Sequence, residues 1–320
     1  MMNNLTVSIG ITTHNHELFI AEALDSILSQ NTNFSFEIVI CDDASSDSTI
    51  SIIEKYKAAN PNKIKVYYSD KNIGPFENAK KLYGNLKGKY IAWLDGDDYW
   101  TNSEKLHKQI IFLEENPDYV GCFHDALIIS NIQNDSKAGD QEKKQALHHY
   151  KFYSQFNRYS SDFYPWDLLD RNIIPTASLL FRNGDYKEYF NTYNNINISQ
   201  NWLIHLYLIR NSKFYYFNEA WSVYRDHAGG ISKTIAQNSF KKKNIYIYKK
   251  LLKDTYYKKH HAIKILYGII NEYRQILYNE ATYQKERKMF YSSLFYYVGN
   301  MIKLFFKEGK YFTGRYLKRQ

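Results

Sequence analysis

Cysteine is scarce in this 320-residue sequence, which contains only Cys41 and Cys122. Two cysteines cannot build a disulfide framework, and they cannot supply the ligands of a four-cysteine zinc site. Each stands among apolar residues, so we expect both to be small buried side chains in a reducing compartment. The sequence is therefore unlike that of a disulfide-stabilised secreted domain.

Long apolar runs are absent as well. No stretch of about 20 apolar residues, the length of a membrane-spanning helix, occurs, and the start, MMNNLTVSIG, lacks the basic and apolar segments of a secretory signal. The most apolar stretch, residues 289–306, is interrupted by serines, Asn300 and Lys303. We predict a cytoplasmic protein, with peripheral attachment to the inner face of the plasma membrane left open.

Glycine-rich phosphate loops are missing too. The first predicted strand is followed by TTHNHELF rather than by G-x-G-x-x-G, and no G-x-x-x-x-G-K-[ST] segment occurs. These absences disfavour a dinucleotide oxidoreductase and a P-loop NTPase. A diphosphate bound here would have to be neutralised by a metal ion and by cationic side chains.

Charge is distributed unevenly along the chain. Residues 241–320 contain 19 Lys and Arg against 5 Asp and Glu, whereas residues 1–240 contain 23 against 28. A basic, aromatic-rich segment can lie on an anionic membrane surface, bind nucleic acid, or form a helical cap or an oligomer contact. We favour the membrane surface over the cap, and nucleic acid is the least favoured partner.

Short apolar runs alternate with segments of helical spacing as far as residue 98. This order predicts crossover connections and an α/β fold with a mostly parallel sheet and helices on both faces. Ser45 or Ser46 is the expected cap of the second helix. The predicted strands are residues 5–11, 36–43, 63–70 and 89–98, and the predicted helices are residues 17–30, 44–60 and 75–86.

The pattern is looser beyond residue 98. Residues 131–162 are polar without a clear period, and after Gly230 only helical patterns remain. We therefore predict an α/β domain over residues 1–235 and a basic, aromatic-rich helical region over residues 236–320. Further helices are expected at 105–118 and 201–211, and further strands at 119–129, 173–183 and 213–227.

Four polar clusters follow the predicted strands: TTHN, CDDASSD, SDKNIG and DGDD. In an open parallel sheet, ligands bind beyond the carboxyl ends of the strands. Four polar clusters at one edge therefore predict a crevice of the size of a nucleotide.

Asp95, Asp97 and Asp98 form the most acidic of these clusters, in the segment YIAWLDGDDYW. Crowded carboxylates at the end of a buried strand repel one another. Such oxygen ligands suit hard divalent cations, and Mg²⁺ typically takes one or two carboxylates together with substrate phosphates. An ion at Asp97 and Asp98 would relieve the repulsion and hold a diphosphate; the alternative interpretation is an acidic turn without a metal.

Two further segments carry candidate binding residues. Asp43 in CDDASSD can accept hydrogen bonds from a base or a ribose, or it can cap the following helix. In SVYRDHAGGIS, Arg225 could grip phosphate, and His227 could ligate a metal or donate to an oxyanion. The alternative interpretation of His227 is a solvated histidine in a turn.

Together these segments resemble glycosyltransferase family 2, whose members have the GT-A fold. The first strand with TTHN is similar to the family's opening strand, with Thr12 where proline is usual, and FEIVICDDASSDST is similar to its second strand and acidic loop. KNIG, KGKYIAWLDGDDYW and EAWSVYRDHAGGIS are similar to its N-x-G, DXD and Y-R-x-H elements. The resemblance is dense over residues 5–125 and thinner over residues 165–232.

The resemblance implies an inverting, metal-dependent transfer of a sugar from a nucleotide-diphospho-sugar, most often a UDP-sugar. The acceptor would be a hydroxyl of a glycan or of a lipid-linked molecule, as in the synthesis of bacterial lipopolysaccharide, capsule or other surface glycans. By the family's pattern, Thr12 and Asp43 contact the uridine, and Asp95 lies near the ribose. The residues expected near the Mn²⁺ or Mg²⁺ ion are Asp97, Asp98 and His227, and the other expected donor-binding residues are Asn15, Asn72 and Arg225.

One position departs from the family. The family's catalytic base is an acid at the start of the helix written here as SQNWLIHLYL, and the aligned residue is Asn201, whose amide cannot take a proton. A positioned base typically contributes about 10²–10⁴-fold to the rate. The candidate substitutes are Asp226 and His205, which lies four residues after Asn201 on the same helix face.

Two rival functions stay open on the sequence. A nucleotidyltransferase of related fold would form a sugar nucleotide, but it usually has a glycine-rich, basic loop in place of TTHNHELF. A family member that has lost its base would bind a nucleotide or a glycan without efficient catalysis, and Asn201 favours this alternative.

Overall fold

The computed structural model describes residues 6–130, 151–153, 161–193, 201–227, 229–230, 237–279 and 284–308. The chain divides into two compact units, Met1–Ile231 and Ser232–Gln320. The first unit contains the sheet, and the described part of the second is helical. The polar excursion predicted at residues 131–162 falls mostly outside the described residues.

The first half of the sheet follows the alternation of strands and helices in the sequence. Its elements are β1 (Val7–Thr13), α1 (Ile20–Leu28), β2 (Phe36–Asp42), α2 (Thr49–Ala59), β3 (Ile64–Tyr68), α3 (Gly74–Tyr83) and β4 (Tyr90–Asp95). The strands pair in parallel in the order β3-β2-β1-β4, because each helix carries the chain back to the edge where the next strand begins. Ile9 pairs with Ile38 and with Ala92, and all three are fully buried.

The second half of the sheet is mixed in direction. Its elements are β5 (Tyr99–Trp100), α4 (Lys105–Glu115), β6 (Tyr119–Ser130), β7 (Lys151–Phe152), β8 (Asp162–Phe163), β9 (Leu180–Arg182), α5 (Lys187–Thr192), α6 (Asn201–Ile209) and β10 (Lys213–Asp226). The short strand β9 lies between β4 and β6 and is antiparallel to both, while β6 pairs in parallel with β10. Since β4, β6 and β10 all run in one direction, their carboxyl ends lie at the same edge of the sheet.

The prediction of one strand over residues 173–183 is wrong. A 3-10 helix, Thr176–Ser178, occupies the middle of this segment, and only Leu180–Arg182 pairs in the sheet. The backbone N and the Oγ of Ser178 both donate to the Pro175 carbonyl, at 3.0 and 2.7 Å. These local hydrogen bonds close a turn that the apolar pattern does not reveal.

The prediction that Ser45 or Ser46 caps the second helix is also wrong. That helix begins at Thr49, after Ser48. Ser45 instead donates through its backbone N to Asp42 Oδ1, at 2.9 Å, and through its hydroxyl to Asp42 Oδ2, at 2.5 Å. Ser45 therefore donates its hydrogen bonds to the carboxylate at the end of β2 and does not cap the helix.

Both cysteines are buried, as the sequence predicts. Burial raises the pKa of the Cys41 thiol to about 12, and it also raises the pKa of Cys122. Each thiol therefore remains protonated at neutral pH and behaves as a small apolar side chain.

The described residues of the second unit form three helices, α7 (Gln237–Leu251), α8 (Thr255–Asn279) and α9 (Gln284–Glu308). The helices α7 and α8 approach closely at Gly268, where an added Cβ would lie 2.6 Å from the ring of Tyr248. Within the described parts of the chain, none of the helices combines the length and the apolarity of a membrane-spanning segment.

Candidate functional site

The acidic loop begins at Asp95, where β4 ends, and turns at Gly96. The backbone N of Asp98 donates to the Asp95 carbonyl at 3.0 Å, which closes the turn. A Cβ at position 96 would lie 2.8 Å from His16 Nδ1 and 3.0 Å from the side chain of Thr13. The loop therefore packs directly against the residues at the end of β1, and glycine permits this approach.

Asp95 is held by three neighbouring side chains. Thr12 Oγ1 donates to Asp95 Oδ1 at 3.1 Å, and Trp93 Nε1 donates to the same oxygen at 3.2 Å. The side chain of Thr176 also bonds to Asp95. Burial, followed by the charge of Asp97, raises the pKa of Asp95 to about 6, and these effects outweigh the hydrogen bonds that favour ionisation.

Asp97 lies between two histidines. His227 Nε2 is 3.0 Å from Asp97 Oδ2, and His16 Nε2 is 3.9 Å from the same oxygen. Burial opposes ionisation of Asp97, but the His227 hydrogen bond and the charges of both histidines outweigh it, so the pKa of Asp97 lies below its usual value. An ionised carboxylate can only accept, so His227 Nε2–H donates this bond.

Asp98 is the most deeply buried of the three carboxylates, with 2% of its surface exposed. The backbone N of Arg225 donates to Asp98 Oδ1 at 3.0 Å. Burial, followed by the charges of Asp97 and Asp95, raises the pKa of Asp98 well above its usual value. The surroundings therefore favour ionisation of Asp97 and disfavour ionisation of its two neighbours.

The guanidinium of Arg225 holds the acidic loop from the end of β10. Its Nη1 donates to the backbone carbonyl of Asp97 at 2.6 Å, and its Nη2 forms an ion pair with Glu22. It also lies 4.4 Å from the ring centre of Tyr99, which is a cation–π contact. The phosphate contact expected for Arg225 stays a prediction, since its guanidinium contacts the loop carbonyl and Glu22 here.

The donors at this edge fit a divalent cation that takes part of its coordination from a substrate. Asp97 Oδ2 and His227 Nε2 lie 3.0 Å apart. The pKa values of Asp95 and Asp98 are raised first by burial and then by the negative charge of neighbouring aspartates, and a cation would relieve that repulsion. Among the described residues, no group of three or more His, Cys, Asp or Glu side chains is arranged to hold an ion alone. Phosphate oxygens and water would have to complete the shell, as is common for Mg²⁺.

The polar loops after β1, β2 and β3 are tied to one another. Asn15 has a φ of 54°, which asparagine tolerates. Its backbone N donates to Ser45 Oγ at 2.9 Å, and its Oδ1 accepts from the backbone N of Ser46 at 2.8 Å. Asn72 Nδ2 contacts His14 Nε2 at 3.2 Å. With the contact between Thr12 and Asp95, these distances confirm that the four polar clusters meet at one edge of the sheet.

Asp43 is buried at the start of α3. It accepts from the backbone N of Ile73 at 2.6 Å and from the backbone N of Gly74 at 2.9 Å, so its two oxygens fix the first turn of that helix. These contacts match the helix-capping alternative, although for the third helix rather than the second. The contact between Asp43 and a uridine stays a prediction.

Asn201 begins α6 and reaches the acidic loop through one hydroxyl. Its Nδ2 donates to Thr176 Oγ1 at 2.6 Å, and the side chain of Thr176 bonds in turn to Asp95. The amide of Asn201 therefore acts as a hydrogen-bond donor, and its alignment with the family's catalytic acid stays a prediction. This geometry places Asn201 beside the acidic loop without giving it the capacity to take a proton.

The two candidate substitutes for the base differ in their surroundings. His205 is almost completely buried, its Nδ1 lies 3.1 Å from Asn172 Oδ1, and burial lowers its pKa to about 3. Such an imidazole is a poor proton acceptor for a substrate at neutral pH. Asp226 is half-buried at the end of β10, between Arg225 and His227.

Comparison with known proteins identifies the family. Residues 8–190 match the sequence model of Glycosyl transferase family 2. A Mycobacterium tuberculosis protein described as uncharacterized, Rv1520, is 33% identical over 229 residues, which cover 70% of this chain and 60% of that relative. The chain belongs to glycosyltransferase family 2.

The proteins similar to this family 2 chain include a relative named as a glucosyltransferase and a structure solved with a bound UDP-sugar. The UDP-Glc:alpha-D-GlcNAc-diphosphoundecaprenol beta-1,3-glucosyltransferase WfaP of Escherichia coli is 43% identical over 108 residues, which cover 34% of this chain and 41% of WfaP. The crystal structure of S. aureus TarS 1-349 in complex with UDP-GlcNAc superposes with a TM-score of 0.65 at 19% identity, covering 93% of this chain and 81% of that one. The likeness in structure confirms the predicted GT-A fold.

Three residues at the family 2 site were not predicted from the sequence: His14, His16 and Thr176. The two histidines follow the first strand in TTHNH, at the edge where ligands bind, so the same rule that selected Asn15 could have selected them. Thr176 gave no local signal, because its segment has the apolar pattern of a strand.

A buried amine supports the turn that carries Thr176. Lys105 is fully buried, and its Nζ donates to Gln109 Oε1 at 2.7 Å and lies 4.1 Å from the ring centre of Trp100. Trp100 Nε1 and Gln109 Nε2 each donate to a backbone carbonyl of Thr176–Ser178, at 2.8 and 2.9 Å. Burial lowers the pKa of Lys105 to about 7.

Proposed function

We propose that this family 2 protein is an inverting glycosyltransferase that moves a sugar from a nucleotide-diphospho-sugar to an acceptor hydroxyl. The observation that carries the proposal is the geometry of the acidic loop, in which three carboxylates lie at one edge of the sheet and Asp97 Oδ2 lies 3.0 Å from His227 Nε2. Burial and the charge of Asp97 raise the pKa values of Asp95 and Asp98. A divalent ion that binds together with a diphosphate would supply the missing positive charge.

Asp97, Asp98 and His227 are the residues that would hold this ion, Mn²⁺ or Mg²⁺. When bound, the ion neutralises the charge that develops on a departing nucleoside diphosphate. The protein's own contribution is to hold the side chains of Asp97 and His227 3.0 Å apart and to fix the loop through Arg225. His227 Nε2 would bind the ion after losing the proton that it donates to Asp97. Preorganised groups of this kind need no rearrangement when the reaction occurs.

The donor that we propose is a UDP-sugar. Thr12 and Asp43 lie at the ends of β1 and β2, where the uridine would bind, and Asn15 and Asn72 fix the adjoining loops. UDP-Glc stands in the name of WfaP, and UDP-GlcNAc is bound in the TarS structure. These names support a uridine nucleotide more strongly than they support one particular sugar.

The acceptor that we propose is a hydroxyl of a glycan, free or linked to a lipid. WfaP is named for an acceptor that carries a diphosphoundecaprenol lipid. A lipid-linked acceptor would require this protein to work at the inner face of the plasma membrane. The acceptor hydroxyl would attack the anomeric carbon in line with the leaving diphosphate, which inverts the configuration there.

Asp226 is the base that we favour for this step. It is half-buried and adjacent in sequence to Arg225 and His227, whereas His205 is almost completely buried and its Nδ1 lies 3.1 Å from Asn172 Oδ1. A general base must lie within hydrogen-bond reach of the proton that it removes.

A second candidate function is supported by the contact of Asn201. Because the amide of Asn201 donates to Thr176, the position that the family uses for an acid cannot accept a proton here. A protein that binds the nucleotide or a glycan but transfers sugar slowly would have this geometry.

Replacement of Asp97 by asparagine tests the main proposal. Asn keeps the size of the side chain but removes its charge, so we expect affinity for UDP in Mn²⁺ to fall by about 100-fold, a loss consistent with removing one desolvated charge from a metal site. Isothermal titration calorimetry with UDP, in Mn²⁺ and in a chelator, measures this difference. The weak affinity in chelator should not change.

Asp118→Asn is the matched control, because Asp118 is exposed and precedes β6, at the opposite edge of the sheet from the acidic loop. This variant should bind UDP and Mn²⁺ like the wild-type protein. Unchanged metal-dependent affinity in Asp97→Asn would remove the metal assignment and with it the main support for the transferase.

A further inference from the structure

The last helix, α9, exposes large apolar side chains to solvent. Phe295 is 72% exposed and Tyr296 is 65% exposed, and Tyr291 and Ile302 are each nearly half exposed. Monomeric soluble proteins rarely expose a contiguous apolar patch of this kind unless it is an interaction site.

Three of these side chains lie on one side of the helix. At 100° per residue, Tyr291, Phe295 and Ile302 fall within a stripe of about 40°, whereas Tyr296 lies about 100° from the edge of that stripe. We call Tyr291, Phe295 and Ile302 the aromatic face. Another side of the helix is packed, since Tyr297 stacks on Tyr273 of α8, with ring centres 6.1 Å apart, and Lys249 lies 5.5 Å from the Tyr297 ring.

The charge around the aromatic face is positive. Lys303 is exposed next to Ile302, and α9 as a whole contains five Lys and Arg against two Glu. The sequence after residue 308 contains four more basic residues and no acidic one. Residues 241–320 hold 19 basic against 5 acidic residues, so a second copy of the chain would be repelled, whereas an anionic surface would be attracted.

We propose that the aromatic face of α9 inserts into the interfacial layer of a membrane that contains anionic lipids, with the helix parallel to the surface. Tyrosine and phenylalanine side chains suit the boundary between headgroups and acyl chains, and lysine can extend its amine to the phosphates. The proposal concerns the second unit alone and does not depend on the transferase activity of the first.

Binding of the full-length protein to vesicles tests this inference. We compare vesicles of phosphatidylcholine with vesicles that also contain phosphatidylglycerol, and we measure the bound fraction by co-sedimentation. The wild-type protein should bind the anionic vesicles and should dissociate as salt is added. The double variant Phe295→Ser, Ile302→Ser should bind the anionic vesicles at least about tenfold more weakly, because each substitution removes apolar surface from the interface.

Ile111→Ser is the matched control. Ile111 is 43% exposed on α4 in the first unit, so its replacement removes similar apolar surface outside the aromatic face. This variant should bind vesicles like the wild-type protein, and all variants should bind UDP alike. Lys303→Glu should weaken binding to anionic vesicles without affecting binding to neutral ones.

Two results would overturn the inference. One is equal vesicle binding by the wild-type protein and the double variant, which would place the contact elsewhere. The other is failure of the wild-type protein to bind anionic vesicles, together with a dimer by sedimentation equilibrium that the double variant cannot form; this would assign the aromatic face to a second copy of the chain.

Discussion

The two units of the chain differ in which unusual side chains they place inside and outside: the first buries charged groups, and the second exposes large aromatic ones. In Met1–Ile231, charged groups are buried, and Asp98 and Lys105 have almost no exposed surface. In Ser232–Gln320, large aromatic side chains such as Phe295 are exposed. Charged residues are rarely buried without a partner, and exposed apolar patches are rare in monomers.

The difference indicates what each unit lacks. Burial and mutual repulsion disfavour ionisation of Asp95 and Asp98. Within the described residues, the side chains of the aromatic face remain exposed without an apolar surface that covers them. A cation with a diphosphate would remove the first deficit, and a lipid surface would remove the second. We therefore expect the acidic loop and the aromatic face to contribute to ligand binding rather than to the stability of the fold.

The largest expected effect comes from adding one more carboxylate to the acidic edge. If the base has been lost, as in the second candidate function, Asn201→Asp should increase the release of UDP from UDP-Glc or UDP-GlcNAc in Mn²⁺ by about 100-fold, since a positioned base typically contributes about 10²–10⁴-fold. If Asp226 is the base, the rate should stay at the wild-type value. Steady-state kinetics with each donor measures this gain. Affinity for UDP should change little, because Asn201 reaches the acidic loop only through Thr176.

Asn201→Ala is the control for this change, because it removes the hydrogen bond to Thr176 without adding an acid. It should not increase the rate. Robust and equal activity in the wild-type protein and in Asn201→Asp would contradict a lost base, and loss of that activity in Asp226→Asn would then assign the base to Asp226.

The next effect concerns the buried amine that supports the acidic edge. The pKa of Lys105 is lowered to about 7 in the folded protein, so between pH 7 and the pKa of an unfolded lysine the unfolded chain binds one more proton than the native protein. The free energy of unfolding should therefore rise with pH in this range, by about 1.4 kcal/mol per pH unit from this group. Below pH 7 the amine is charged in both states, and the stability gained at high pH is lost.

Lys105→Met should remove this pH dependence. Urea unfolding of the wild-type protein and the variant, from pH 7 towards pH 9, gives the difference between their free energies of unfolding at each pH. The difference should change in favour of the wild-type protein as pH rises. Lys55→Met, at an exposed position on α2, should leave the pH dependence as it is; a constant difference for Lys105→Met would show that its amine is charged in the folded protein.

The sequence alone predicts the parallel half of the sheet and its polar edge well. Strands such as Phe36–Asp42 are continuous apolar runs followed at once by polar residues, and this pattern is local. Asp95, Asp97 and Asp98 could be placed at the edge for the same reason. The helical character of the second unit could also be predicted, since its spacing is regular over many turns.

What the sequence could not predict depends on distant partners. Thr176 joins Asn201 to Asp95 only because Trp100 and Gln109 hold its turn from another part of the chain. Lys105 has the spacing of an ordinary helical lysine, and its burial follows from the packing of α4 on the sheet rather than from its neighbours in sequence. Ser45 similarly donates its hydroxyl to Asp42. The capping prediction was wrong because it considered only the helix that follows Ser45.

The smallest expected effect sharpens the contrast between buried and exposed side chains within the second unit. Phe295→Ser should change the free energy of unfolding by about 0.5 kcal/mol or less, because Phe295 is 72% exposed and surface substitutions rarely do more. Tyr257→Ser, at a fully buried position of α8, should cost about 3 kcal/mol or more, as expected when a large buried aromatic ring is removed. Urea unfolding followed by circular dichroism compares the two. A large loss of stability in Phe295→Ser would mean that this ring packs within the protein, and the aromatic face would then be part of the fold rather than a membrane-binding surface.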